Sequence, residues 1–316
     1  MSAGFDLYTV RTDFLTESSF INQSTGIGLR LGFPISERAG LGLTYSLIED
    51  KTQIAHVLVD HDLNASTPQV DQCDPVNPGR PLICDQAGSF LTSVFGYSFN
   101  VDHRNDPVTP TRGFDFSLSQ DIAGIGGEVN YLRTEFSAGL YYGIVQNVTL
   151  NLRATGGFIT GWGGDDVRIN DRFFRGGATF RGFDVAGLGP RQLIRDDATG
   201  AIITKGDAIG GNLYSVNTIE LDFPFGLPES YGINGGLFAE FGTLGVVDAA
   251  SRQNVEIPGT ATHLAVSDDT SLRASVGLSV FWDSPFGPVQ FDFAEPLAYE
   301  DYDRRQNFRF STRTRF

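Results

Sequence analysis

Apolar and polar residues alternate with a period of two through most of the chain, and the alternating runs are bounded by Gly, Pro, Asn and Asp clusters. Twelve such runs are predicted as strands, near residues 4–14, 24–35, 39–52, 89–103, 112–123, 130–144, 148–161, 211–225, 234–247, 272–284, 287–298 and 306–316. The last run shows the pattern clearly. Phe308, Phe310, Thr312, Thr314 and Phe316 share one face, and Arg309, Ser311, Arg313 and Arg315 share the other. One face suits lipid and the other a wet lumen.

The connections alternate in length, which is a second signal. Short links are expected at Ser36–Arg38, Val145–Asn147 and around Pro285-Phe286-Gly287, with an intermediate one at 104–111. Long links occupy 53–88, 162–210 and 248–271. Whole hairpins separate them, so all three lie on one side, as the long external loops of outer-membrane barrels do. A soluble β-sandwich also uses alternating strands with Gly/Pro turns. It rarely gathers its long loops at one end or closes on an aromatic after such a strand. The fold class predicted is all-β, an antiparallel transmembrane β-barrel of about twelve strands spanning residues 1–316.

Composition narrows the reading further. The 316 residues include 38 glycines, 26 phenylalanines and 10 tyrosines but one methionine, which favours strands and turns over helices. No run approaches the roughly 18 to 20 consecutive apolar residues of a membrane-spanning helix, so a membrane location requires a closed sheet. The net charge of −15 argues against a nucleic-acid surface, which needs a basic stripe. Met1-Ser2-Ala3-Gly4 runs straight into Phe5-Asp6-Leu7-Tyr8 without a secretory leader, and the chain is expected to be part of a longer protein. Cys73 and Cys84 bracket a Pro/Gly/Asp-rich stretch without the second pair a zinc site needs, so a local disulfide in an oxidising compartment is expected over free thiols.

The connection 162–210 carries the candidate chemistry. Loops of this length inside a compact protein are functional or disordered. Its centre runs Phe173-Phe174-Arg175-Gly176-Gly177-Ala178-Thr179-Phe180-Arg181-Gly182-Phe183, with four aromatics, two arginines and turn glycines, a composition that can pack. In Ile219-Glu220-Leu221-Asp222-Phe223 the apolar residues point outward and turn Glu220 and Asp222 inward; in Leu237-Phe238-Ala239-Glu240-Phe241 the same logic turns Glu240 inward. A bidentate contact from Arg181 to Glu220 or Glu240 would hold the loop in the lumen. A solvated Arg181 above carboxylates that merely wet the lumen fits the spacing equally well.

Here the sequence resembles a known family. Gly176-Gly177 followed by Phe180-Arg181-Gly182-Phe183 is similar to the conserved loop of the BamA/TamA-type surface-antigen barrels, whose hallmark is an Arg-Gly-Phe tip after a Gly-Gly turn. Further matches are Leu31-Gly32-Phe33-Pro34-Ile35, Asp102-His103-Arg104-Asn105-Asp106-Pro107 with Pro110 and Gly113, Glu240-Phe241-Gly242-Thr243, and Asp283-Ser284-Pro285-Phe286-Gly287-Pro288 before Glu295-Pro296-Leu297. They span nearly the whole chain in the family's order. The resemblance implies that Arg181 reaches Glu220 and Glu240 on the lumen wall. It also implies that Phe308, Phe310 and Phe316 belong to the C-terminal strand of a lateral gate. The family carries periplasmic POTRA repeats and a sixteen-stranded barrel, so this chain corresponds to the last twelve strands, with the POTRA repeats and first strands absent from it.

The function implied is insertion and folding of β-barrel proteins in the bacterial outer membrane by lateral strand augmentation, without an energy source. The implied partners are nascent outer-membrane β-barrel proteins, outer-membrane lipid and lipopolysaccharide, and assembly lipoproteins through the periplasmic part, with no nucleic acid. A polypeptide-translocating barrel of the two-partner secretion or autotransporter-assembly type is the alternative. A porin gains nothing from the Arg-Gly-Phe loop. An enzyme is not expected, since His56, His61, His103 and His263 are dispersed and fit no metal or nucleophile motif. The glycines of Gly124-Ile125-Gly126-Gly127 read as a hairpin turn, and no cofactor is expected.

Overall fold

The computed structural model describes residues 1–13, 18, 20–54, 82–248, 254–257, 260–285 and 287–312. In chain order its strands are β1 (Ser2–Asp13), β2 (Phe20–Ser36), β3 (Ala39–Ile54), β4 (Gly88–Asp102), β5 (Arg112–Ala123), β6 (Tyr131–Val145) and β7 (Val148–Gly161). Three short strands follow: β8 (Gly182–Phe183), β9 (Arg191–Asp196) and β10 (Ile202–Ala208). Then come β11 (Leu213–Pro224), β12 (Ile233–Gly245), β13 (Val255–Glu256), β14 (Thr262–Ser267), β15 (Arg273–Ser284), β16 (Gly287–Ala298), β17 (Arg305–Gln306) and β18 (Phe308–Thr312).

Twelve of these form one antiparallel sheet in the order β1-β2-β3-β4-β5-β6-β7-β11-β12-β15-β16-β18. They are the twelve strands that the period-2 runs predict, and β5, β7 and β16 fall on the predicted residues 112–123, 148–161 and 287–298. The turns are local, so every neighbour is the next strand of the set, and register follows from keeping one face apolar. Along one outward row Leu140, Leu152, Ile219 and Ala239 sit side by side across β6, β7, β11 and β12. Leu140, Leu152 and Ile219 are exposed, as are Phe5, Leu237 and Phe293 on other outward rows, which is how a lipid-facing wall reads in the absence of lipid.

Two long connections differ from the expectation of plain loop. Segments of 162–210 and 248–271 supply a second sheet, β10-β9-β14-β13, with Leu264 opposite both Ile194 and Val255. These strands lack alternation because they are short and their faces are not divided between lipid and water; Arg191, Gln192, Leu193 and Ile194 are buried in succession.

The core lies inside the wall. Phe173, Phe180, Phe183 and Leu188 of the 162–210 connection pack with the inward-facing Val94, Ile159, Tyr214, Val216 and Leu244. A second cluster joins Phe20, Ile83, Cys84, Ile169, Ile209 and Val247. Cys84 is buried in it, while Cys73 lies outside the described residues, and the bridge between them stays an expectation.

Candidate functional site: the Arg181 loop inside the barrel

After β7 the chain turns into the lumen. Phe173 forms an isolated antiparallel bridge with Gly211, and a single 3-10 turn, Gly177–Thr179, delivers the tip. Thr179 closes that turn with its own side chain: its Oγ1 donates to the Gly176 carbonyl at 2.8 Å and accepts from the Gly176 N–H at 3.1 Å. Phe180 and Phe183 are fully buried and meet edge to face with centroids 5.2 Å apart. Between them Gly182 has φ +92°, and a side chain there would begin 2.9 Å from Ser275 Cβ on the wall. Only glycine combines that backbone with so close an approach.

This geometry places Arg181 on the inner wall. Its Nε donates to Glu240 Oε1 at 2.8 Å, Nη2 to Glu220 Oε2 at 2.9 Å and Nη1 to Ser279 Oγ at 2.9 Å. Nη2 also lies 2.7 Å from Glu240 Oε1, and Nη1 is 4.0 Å from Asp292 Oδ1. The backbone joins in, for the Arg181 N–H donates to Glu240 Oε2 at 2.6 Å and its carbonyl accepts from Ser275 Oγ at 2.6 Å. The guanidinium stacks 3.6 Å above the Phe238 ring centroid. Burial works against the Arg181 charge, and Glu240 and Glu220 more than restore it, so its pKa is raised above the ordinary arginine value. A planar fork with five donors suits this set of acceptors where a point charge would not.

Glu220 and Glu240 are thus brought to Arg181 together. Ser275, Ser279, Asp292 and Phe238 complete the site and were not among the residues singled out by spacing. The signal existed for one of them: Phe291-Asp292-Phe293 alternates as Leu221-Asp222-Phe223 does, which turns Asp292 inward.

Other buried charges hold the surrounding loops. Arg273, at the start of β15, pairs with Asp303 at 3.0 Å with both side chains fully buried, and it also donates to the Asp269 and Ser271 carbonyls. Arg172 reaches Asp248 at 3.3 Å. Arg175 lies over the Tyr214 ring at 3.5 Å. Burial, and then the charge of Asp50, push the Asp171 carboxyl up to about 7, although Arg168 and Arg133 oppose the shift.

On the outer face Phe308 meets Phe293 at 5.2 Å and Phe310 meets Phe291 at 5.4 Å between centroids, so both residues of the C-terminal strand face the lipid side. Phe316 lies outside the described residues, as do His56 and His61. His103 stacks on Phe114 at 4.9 Å and His263 pairs with Asp197 at 2.7 Å.

A family model described as the Omp85 superfamily domain matches residues 1–316. The chain is 32% identical over 225 residues to the outer membrane protein assembly factor BamA of Neorickettsia risticii, covering 71% of this chain and 27% of that protein. It is 25% identical over 335 residues to the BamA of Neisseria meningitidis, covering 100% of this chain and 40% of that one. A sorting and assembly machinery component 50 homolog of Bos taurus is 29% identical over 155 residues, 48% of this chain and 30% of its own length. The chain therefore spans between about a quarter and two fifths of these curated relatives. Among solved structures, BamA from Haemophilus ducreyi lacking POTRA domains 1-3 superposes with a TM-score of 0.73 at 20% identity, over 98% of this chain and 57% of that one, which is a likeness of fold. Built on a twelve-stranded wall with its loop motif seated inside, the chain belongs to the Omp85 superfamily, as a BamA-type β-barrel of the bacterial outer membrane.

Proposed function

We propose that this barrel inserts and folds other β-barrel proteins in the outer membrane, without catalysing a covalent reaction. The observation that carries the reading is the Omp85 match over residues 1–316 together with the Arg181 loop docked on Glu220 and Glu240. β18 pairs with β16 and carries Phe308 and Phe310 on its outer face. An incoming client β-strand would add to β18 through backbone hydrogen bonds once the seam opens, because an exposed strand edge templates a further strand. The aromatic outer face of β18 would meet lipid beside the client, and client folding would supply the driving force. The clients are nascent outer-membrane barrels, with lipid and lipopolysaccharide around the seam and assembly lipoproteins on the periplasmic side.

Moving polypeptides through the bore is less well supported, because Phe173, Phe180 and Phe183 occupy the interior such a segment would need. The test is site-specific photocrosslinking from position 310 in the full-length protein reconstituted with lipid vesicles, alongside the folding rate of a urea-unfolded outer-membrane barrel. Capture of client strands at position 310 together with faster client folding is expected. Absence of both capture and acceleration would overturn the proposal.

A further inference from the structure

The Arg181 motif is bonded to the segment that leads into β18. Gly182 and Phe183 of β8 pair antiparallel with Gln306 and Arg305 of β17. Beyond that pair, the Asp184 N–H donates to the Arg304 carbonyl at 3.0 Å, and the Arg304 N–H donates to the Gly187 carbonyl at 2.7 Å. One residue further along the chain, the Asn307 carbonyl accepts from the Ala294 N–H at 2.8 Å, which begins the ladder between β16 and β18. A single run of backbone hydrogen bonds therefore passes from the loop motif into the pairing of the last strand.

Side chains reinforce it. Arg309, inward-facing on β18, donates from Nη1 to Gln306 Oε1 at 3.3 Å. Its guanidinium lies against the Gly-Gly turn of the motif, since a side chain at Gly177 would begin 2.8 Å from Nη1. Arg309 also stands opposite Asp292 in the β16–β18 register, and Asp292 is the third carboxylate near Arg181. The Ser279 hydroxyl connects the two, donating to Asp292 Oδ1 at 2.5 Å and accepting from Arg181 Nη1.

We propose that docking of the Arg181 loop and pairing of β18 form one coupled equilibrium, with Gly177–Gly187 and Arg304–Arg309 as the joint between them. Peeling β18 from β16 displaces Arg304 and Arg305, and this strips hydrogen bonds from Gly182 through Gly187. Undocking the loop removes the same bonds from the root of β18. The coupling is reciprocal by thermodynamic linkage, so each element must respond to a perturbation of the other by the same factor. It concerns the barrel's own states and holds whether or not the barrel handles clients.

Hydrogen exchange read by mass spectrometry on the full chain in lipid nanodiscs tests this. Arg309→Gln should speed amide exchange across Gly176–Gly187 on the order of tenfold, and Arg181→Ala should speed exchange across Arg305–Phe310 by a similar factor. Amides of β5 and β6 should keep their wild-type protection in both. Should Arg181→Ala not fold, Glu220→Gln replaces it, with a smaller factor in the same direction. Loosening of the loop with β18 protection unchanged, or loosening of β18 with the loop unchanged, would overturn the coupling. Client-folding rates measured on the same variants report separately on the insertion proposal.

Discussion

Replacing Arg181 by alanine removes the only cationic donor that bonds Glu220 and Glu240 among the described residues and leaves both acceptors in place. Glu240 keeps 7% of its side-chain surface exposed and Glu220 keeps 15%, so both would be stranded in a largely dry environment. Breaking a buried ion pair from one side costs about 3 to 5 kcal/mol. Two features pull this case toward the lower end. The residue-181 N–H still donates to Glu240 Oε2 at 2.6 Å, and the more exposed Glu220 can recover some water. A loss of about 3 kcal/mol shifts the docking equilibrium of the loop by about two decades. Limited proteolysis of the folded protein should then cut within 162–210 at least tenfold faster, and heat-resistant migration on gels should weaken. Arg181→Lys should recover roughly half of the loss, because one ammonium can satisfy Glu240 or Glu220 but not both with Ser279. Glu240→Gln should cost more than Glu220→Gln, following burial. If Arg181→Ala is cleaved and melts as wild type, the arginine does not hold the loop.

Three further outcomes are expected. Arg273→Ala should lower the melting temperature of the barrel and raise exchange at Glu300–Gln306, at a cost of about 3 to 5 kcal/mol for stranding the fully buried Asp303; an unchanged melt would contradict this. Asp171 binds its proton more tightly docked than free, so docking is strongest in the ordinary carboxylate range and weakens as pH rises through about 7. Loop proteolysis should accordingly increase between pH 5 and pH 8, and Asp171→Asn should flatten that part of the profile. A non-reduced digest should yield peptides joined through Cys73 and Cys84, with reduction leaving the barrel intact, whereas full alkylation of both thiols without reductant would disprove the bridge.

The wall was legible because its strands face two solvents, and each residue declares its side by polarity. Leu221-Asp222-Phe223 states its orientation without any neighbour, and β5, β7 and β16 could be bounded to the residue. The same rule placed Glu220 and Glu240 inside and would have placed Asp292. Contact across the bore was not legible. Arg181 meets residues 39 to 98 positions away through a loop whose path depends on the left-handed Gly177 and Gly182, and spacing alone could not separate a docked arginine from a solvated one. The β9–β14 pairing escaped for a related reason. Arg191 and Gln192 are polar yet buried, with Arg191 donating to the Gly206 and Ala186 carbonyls, so polarity no longer reports position there.

In the hairpin between β9 and β10, Asp197 to Ala201 are exposed and the tip is closed by Asp196 accepting from the Thr199 N–H at 2.8 Å. Substitutions there change an exposed surface while the buried motif stays untouched, since an exposed turn tolerates exchange and the lumen site does not. This turn can therefore accept exchanges, tags or insertions without disturbing the loop docked on Glu220 and Glu240.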